Sequence, residues 1–148
     1  MCRDWATYTT TILVPTDGSD SSTAAVERGV SNAKPHAATV HFLHVIDAGT
    51  EMAASGSIAP ELTETLDQEA SEILETASRK ADEVDVAAEQ VVLEGVPHEV
   101  IAEYSTDNEV DLIVMGASGR SGIKDHLLGS STDRVIRSVD TSVLVARP

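Results

Sequence analysis

A single cysteine, Cys2, stands in the 148-residue sequence. A disulfide within the chain is therefore excluded, as are a CxxC redox pair and a cysteine-based metal site. Lysine is scarce: only Lys34, Lys80 and Lys124 occur, and Lys and Arg together number 10 against 25 Asp and Glu. The net charge of −15 argues against nucleic acid, whose phosphates demand basic patches, and against anionic membranes. No run approaches the roughly 20 apolar residues of a membrane helix. Met1 to Trp5 carry no apolar stretch of the secretory kind, so a cytoplasmic location is expected. The GxxxxGK[ST] phosphate loop is missing, because Gly119-Arg-Ser-Gly122 is followed by Ile123-Lys124 at the wrong spacing. There is also no Gly-x-Ser-x-Gly elbow.

The histidines do not suggest a metal site. His41 and His44 are three apart on an expected strand, so they point to opposite faces. His98 and His126 fall in different loops. The acid is scattered rather than blocked, running through Glu61 to Glu94. Many Asp and Glu, few Lys and many small residues form the pattern of proteins from salt-accumulating halophiles. At molar salt the Debye length falls to about 3 Å, which would screen the self-repulsion.

The length suits one domain with a proper core. Strands and helices alternate along it. Thr11 to Val14 is a β-branched run ended by Pro15. Asp17-Gly18 is turn chemistry, and Asp20 or Ser21 is expected to cap a helix running to about Ala33. Lys34-Pro35-His36 stops it. Thr39 to Ile46 is a second strand, and Asp47 to Ala59 a small-residue linker. Pro60 opens a long helix whose apolar face steps from Leu62 through Leu66, Ala70, Leu74, Ala77 and Ala81 to Val84. Val86 to Leu93 is a third strand. A helix follows Gly95-Val96-Pro97 through about Tyr104. Val110 to Met115 is a fourth strand, Gly129 to Ser138 opens the last helix, and Ser142 to Ala146 is a fifth strand. Such alternation with apolar strands means an α/β fold, a parallel sheet covered by helices on both faces.

The stretch Gly116-Ala-Ser-Gly119, nine further residues, then Gly129-Ser130 carries the most chemistry. Strand, glycine-bearing loop and helix start converge backbone N–H groups on phosphate. Four such fixed positions should match by chance in fewer than about one chain of this length in a hundred, so the agreement with its context counts. In parallel sheets, ligands bind beyond the carboxyl ends of the strands where strand order reverses. If strands one and four are neighbours, Asp17 and the Gly116 and Gly119 amides flank one crevice. The amides and hydroxyls of Ser130, Ser131 and Thr132 would complete a triphosphate site. Glycine at 116 is expected because a Cβ would block the approach of backbone to phosphate.

These residues resemble the universal stress protein family, in its ATP-binding branch. The resemblance runs from about Thr10 to Arg147. It rests on Ile12 to Ser19, Leu43 to Asp47, Gly95 to Ile101, Asp111 to Gly116, the glycine motif and Ser142 to Val145. It implies a single domain over 9–148 behind a tail at 1–8. The implied fold is a three-layer sandwich with a five-stranded parallel sheet, order 3-2-1-4-5, and four helices. By position, Pro15, Thr16 and Asp17 would line the adenosine side, with Val45 offering its backbone to adenine. Met115, Gly116, Gly119, Gly129, Ser130, Ser131 and Thr132 would surround ribose and phosphates. Arg120 would reach a phosphate, and Mg²⁺ or Mn²⁺ would sit on the phosphates.

Three function classes follow. The first is an ATP-binding regulatory or stress protein with little or no turnover, since no residue stands out as an activating base. The second is a slow ATPase or self-phosphorylating protein, with Ser130, Ser131 or Thr132 as acceptors. The third is a nucleotide-free dimeric interaction module, against which the intact motif counts. In each case Val143 to Val145, as an edge strand, is expected to pair with a second copy.

Overall fold

The computed structural model describes residues 10–47, 60–118 and 128–148. Gly119 and Arg120 lie outside the described residues, as do the expected tail at 1–8 and His126. Five strands are present: β1 (Thr11–Pro15), β2 (Thr39–Ile46), β3 (Ala88–Glu94), β4 (Leu112–Gly116) and β5 (Ser142–Ala146). They alternate with α1 (Asp20–Ala33), α2 (Pro60–Asp82), α3 (Pro97–Asp107) and α4 (Ser130–Ser138). A 3₁₀ turn, Lys34–His36, ends α1. All strand pairs are parallel, in the order β3-β2-β1-β4-β5. Strands one and four are thus neighbours, paired at Ile12↔Leu112 and Leu13↔Ile113.

Strand alternation splits the core in two. Ile12, Val14, Val40 and Phe42 face one way and pack with Ala25, Val26 and Val30 of α1 and Leu74, Ala77 and Ala81 of α2. Leu13, Leu43, Ile113 and Met115 face the other way, against Ile101 of α3 and Val135 of α4. Two helices therefore cover each face. Helices cover both faces as expected, more thinly at β3, where Glu89, Gln90, Val92, Leu93 and Glu94 are exposed. As an edge strand, β3 has a neighbour only on the β2 side among the described residues.

Several boundaries differ from the expected ones. The cap of α1 is Ser19, whose hydroxyl accepts from the Ser22 N–H, and not Asp20 or Ser21. Helix α2 ends at Asp82, so Val84 leaves the apolar stripe and is 41% exposed. Val86 precedes β3; its N–H bonds back to the Ala81 carbonyl at 3.0 Å and closes the end of α2. Helix α3 continues to Asp107, one turn past Tyr104.

The two histidines of β2 have structural partners on opposite faces. His41 Nε2 lies 3.0 Å from the Glu89 carboxylate, and its Nδ1 lies 2.8 Å from the Tyr104 hydroxyl. The carboxylate can only accept, so Nε2 donates to it, and Nδ1 shares a hydrogen bond with the tyrosine hydroxyl. Burial, aided by the Glu89 charge, raises the Tyr104 pKa. His44 is buried, and its Nδ1 lies 2.9 Å from the Thr16 carbonyl, to which it must donate.

Candidate functional site

The β1–α1 turn is pinned from three directions. The Thr16 N–H donates to the Leu43 carbonyl at 2.8 Å, and its own carbonyl accepts from His44. Its hydroxyl bonds Ser22 Oγ at 3.2 Å. Asp17 Oδ1 accepts from the Ser19 N–H at 2.9 Å. Gly18 has φ +83°, a left-handed conformation that a glycine adopts without strain. Asp17 therefore builds the turn with one oxygen and stays half-buried at the strand end.

On the β4 side the chain is held equally tightly. The Ala117 N–H donates to the Ala146 carbonyl, and the Gly129 N–H returns to the Ala117 carbonyl at 2.6 Å. Thr132 donates its hydroxyl to the Gly116 carbonyl at 2.8 Å. The cap of α4 is Gly129, and Ser130 is the first helical residue. Among the described residues no side chain caps this helix. Its first-turn N–H groups have no carbonyl partner within the helix, and such groups suit water or an anion. The positive end of the helix dipole lies at the same point.

Gly116 departs from its expected reason. A Cβ there would lie 2.6 Å from both the backbone carbon and the Cβ of Ser21. Glycine is required so that α1 can pack on β4. The space a side chain would take belongs to the helix and not to a ligand.

These elements enclose a cavity of about 470 Å³ across the carboxyl ends of β2, β1 and β4, within the range of small-molecule sites. Pro15, Thr16, Asp17, Val45, Met115, Gly116, Gly129, Ser130, Ser131 and Thr132 all line it. Every candidate residue that the structure describes is thus brought to one place. Sequence reasoning missed Ser22, Leu43, Asp47, Pro97, Ile101 and Ser118 in the same lining. Leu43 and Asp47 carried a usable signal, since a strand places both on the face of Val45. Ser118 lies beside α1, its hydroxyl 3.2 Å from that of Ser21. Among the described residues, the lining has two carboxylates, Asp17 and Asp47, and no lysine, arginine or histidine. It is apolar around Leu43, Val45, Pro97, Ile101 and Met115. Hydroxyls crowd it around Ser118, Ser130, Ser131 and Thr132.

A parallel sheet in this order, with a cavity at its switch point beside a glycine-capped helix start, is the doubly wound arrangement in which open α/β sheets take ligands. The chain belongs to the universal stress protein family, whose model matches residues 9–147. It is 36% identical over 137 residues to universal stress protein MJ0531 of Methanocaldococcus jannaschii, covering 92% of this chain and 81% of that protein. MJ0577 of the same organism has a solved structure that superposes with a TM-score of 0.83 at 32% identity, covering 94% of this chain and 96% of that one. A universal stress protein solved in complex with cAMP superposes with a TM-score of 0.72 at 28% identity, covering 95% of this chain and 98% of that one. No described helix is long and apolar enough to cross a membrane.

Proposed function

We propose that this chain binds ATP or another adenine nucleotide as a homodimeric, cytoplasmic stress-response factor with little or no turnover. The observation that carries this reading is the glycine-capped N-terminus of α4 opening into the switch-point cavity. A side-chain cap would satisfy the N–H groups there; a glycine cap leaves them for an anion. The cAMP complex of a 28%-identical relative supports an adenine nucleotide as the ligand. The apolar end takes base and sugar against Pro15, Thr16, Asp17 and Val45. Met115, the Gly116 backbone and Gly129 to Thr132 take ribose and phosphates, joined by Gly119 and Arg120. Mg²⁺ or Mn²⁺ bound through the phosphates reduces their repulsion by a chain of net charge −15.

Titration calorimetry with ATP and Mg²⁺ in molar KCl tests this reading on the wild type and on Ser130→Asp. Ser130 is exposed at the first helical position. An aspartate there suits the helix dipole, so the fold should be no less stable, yet its charge opposes phosphate. The expected result is micromolar binding by the wild type, weakened about tenfold or more in the variant. A well-folded wild type that binds no ATP would overturn the reading.

A further inference from the structure

We infer that Thr132 is the positioning residue of the phosphate end: its hydroxyl ties the first turn of α4 to the end of β4 and leaves phosphate to the backbone N–H groups of that turn. The inference rests on the nucleotide-binding reading above. Within the residues that reading groups together, it separates the tether from the ligand contacts.

Serine and threonine in a helix commonly turn the hydroxyl back onto a carbonyl of the preceding turn. Thr76, Thr106 and Ser138 do so here, onto the carbonyls of Glu72, Ala102 and Arg134. Thr132 does not. Its hydroxyl crosses to another element and donates to the Gly116 carbonyl at 2.8 Å, 16 residues back along the chain. Both residues are buried and both line the cavity. A threonine hydroxyl has one proton. With that proton on Gly116, the side chain cannot also donate to a phosphate, whose ionised oxygens are acceptors.

The tether sits where it sets the direction of the helix. Thr132 and Val135 are one turn apart and share the inward face of α4. Val135 is fully buried in the cluster with Leu13, Ile101 and Ile113. Apolar burial is non-directional, so that contact alone leaves the helix free to turn about it. The Thr132 hydroxyl adds a directional anchor one turn nearer the N-terminus. The Gly129 N–H closes the same junction on the Ala117 carbonyl at 2.6 Å, and the Ala117 N–H is held in turn by the Ala146 carbonyl of β5. The first turn of α4 therefore takes its direction from β4 and β5. Donors already fixed in direction lose less freedom when an anion binds. Without the tether, the ligand itself would have to order this end of α4.

Titration calorimetry in molar KCl tests the assignment on the wild type, Thr132→Val and Thr132→Ser, with ATP and Mg²⁺ and, by displacement of ATP, with adenosine. Valine keeps the shape of threonine and removes the proton; serine restores the proton. Thr132→Val should bind ATP about tenfold more weakly. Adenosine carries no phosphate and should stay within about twofold of its wild-type affinity. Thr132→Ser should recover ATP binding to within about threefold of the wild type, the remainder reflecting its looser side chain. A folded Thr132→Val with wild-type ATP affinity overturns the assignment. So does one that loses adenosine as much as ATP, since that is a general disturbance of the cavity, or a Thr132→Ser as weak as Thr132→Val. Should Thr132→Val not fold, the same readings apply to Thr132→Ala. A wild type that binds no ATP overturns the nucleotide reading and this assignment with it.

Discussion

Gly116 shows how one position can be required for a reason other than the one its motif suggests. Its missing Cβ lets the first turn of α1 sit against β4, with Ser21 backbone and Cβ where the methyl would be. Neither of those atoms can swing aside, because both belong to the helix itself. Gly116→Ala should therefore cost about 1–3 kcal/mol of stability through overpacking, read as a lower urea midpoint, and Gly116→Val more. If Gly116→Ala kept the wild-type midpoint but lost nucleotide binding, the requirement would return to the cavity. The same contact explains why the motif glycine was legible as important while its role was not. Spacing reveals that a side chain is excluded, but only the packing of α1 reveals by what. Pro97 was hidden differently. It lies at the start of α3, distant in sequence from the glycine motif, and only the packing of α3 beside the β2–β1–β4 ends brings it to the cavity.

The helices and strands could be read in order because apolar positions repeat at one period in each. Their ends could not, because this chain stops its helices without glycine. Ala37, Asp85 and Glu109 all take left-handed conformations, at φ +53°, +57° and +49°. Each is followed by an N–H that reaches back five residues: Ala38 to Ala33, Val86 to Ala81 and Val110 to Ser105, at 3.0–3.1 Å. This is the six-to-one closure of a Schellman ending, repeated before β2, β3 and β4. A glycine at these positions would have marked the boundary in the sequence; alanine, aspartate and glutamate conceal it. The left-handed conformation costs a residue with a Cβ about 1 kcal/mol or more. Part of that gain would be lost to the larger unfolded-state entropy of glycine. Glu109→Gly should therefore stabilise the fold by about 0.5–1 kcal/mol in urea denaturation. Asp85→Gly should gain less, since aspartate tolerates this region better. A destabilised Glu109→Gly would show that the glutamate side chain contributes more than its backbone strain costs.

Among the described residues, the sheet has two open edges of unlike chemistry. On β3 the exposed Val92 and Leu93 are flanked by Glu89 and Glu94, charges that discourage edge pairing. On β5, Leu144 is 37% exposed between half-buried Val143 and Val145, and Ile136 of α4 adds another exposed apolar side chain. Arg147 is the only charge immediately beside that strand. The expected pairing of two copies through Val143 to Val145 therefore uses the less protected edge. Opposing it is electrostatics, since each copy carries −15. Salt weakens that repulsion, the Debye length falling from about 10 Å at 0.1 M to about 3 Å at 1 M. It leaves apolar burial in place. Light scattering should then give a dimer mass in molar KCl, shifting toward monomer on dilution into 0.1 M KCl. Leu144→Lys, at an exposed position where the fold can accept it, should be monomeric in both. A wild-type monomer in molar KCl would exclude the β5 dimer. A dimer of equal strength at both salts would show that the acidic surface lies away from the interface, and that the charge does not act on assembly.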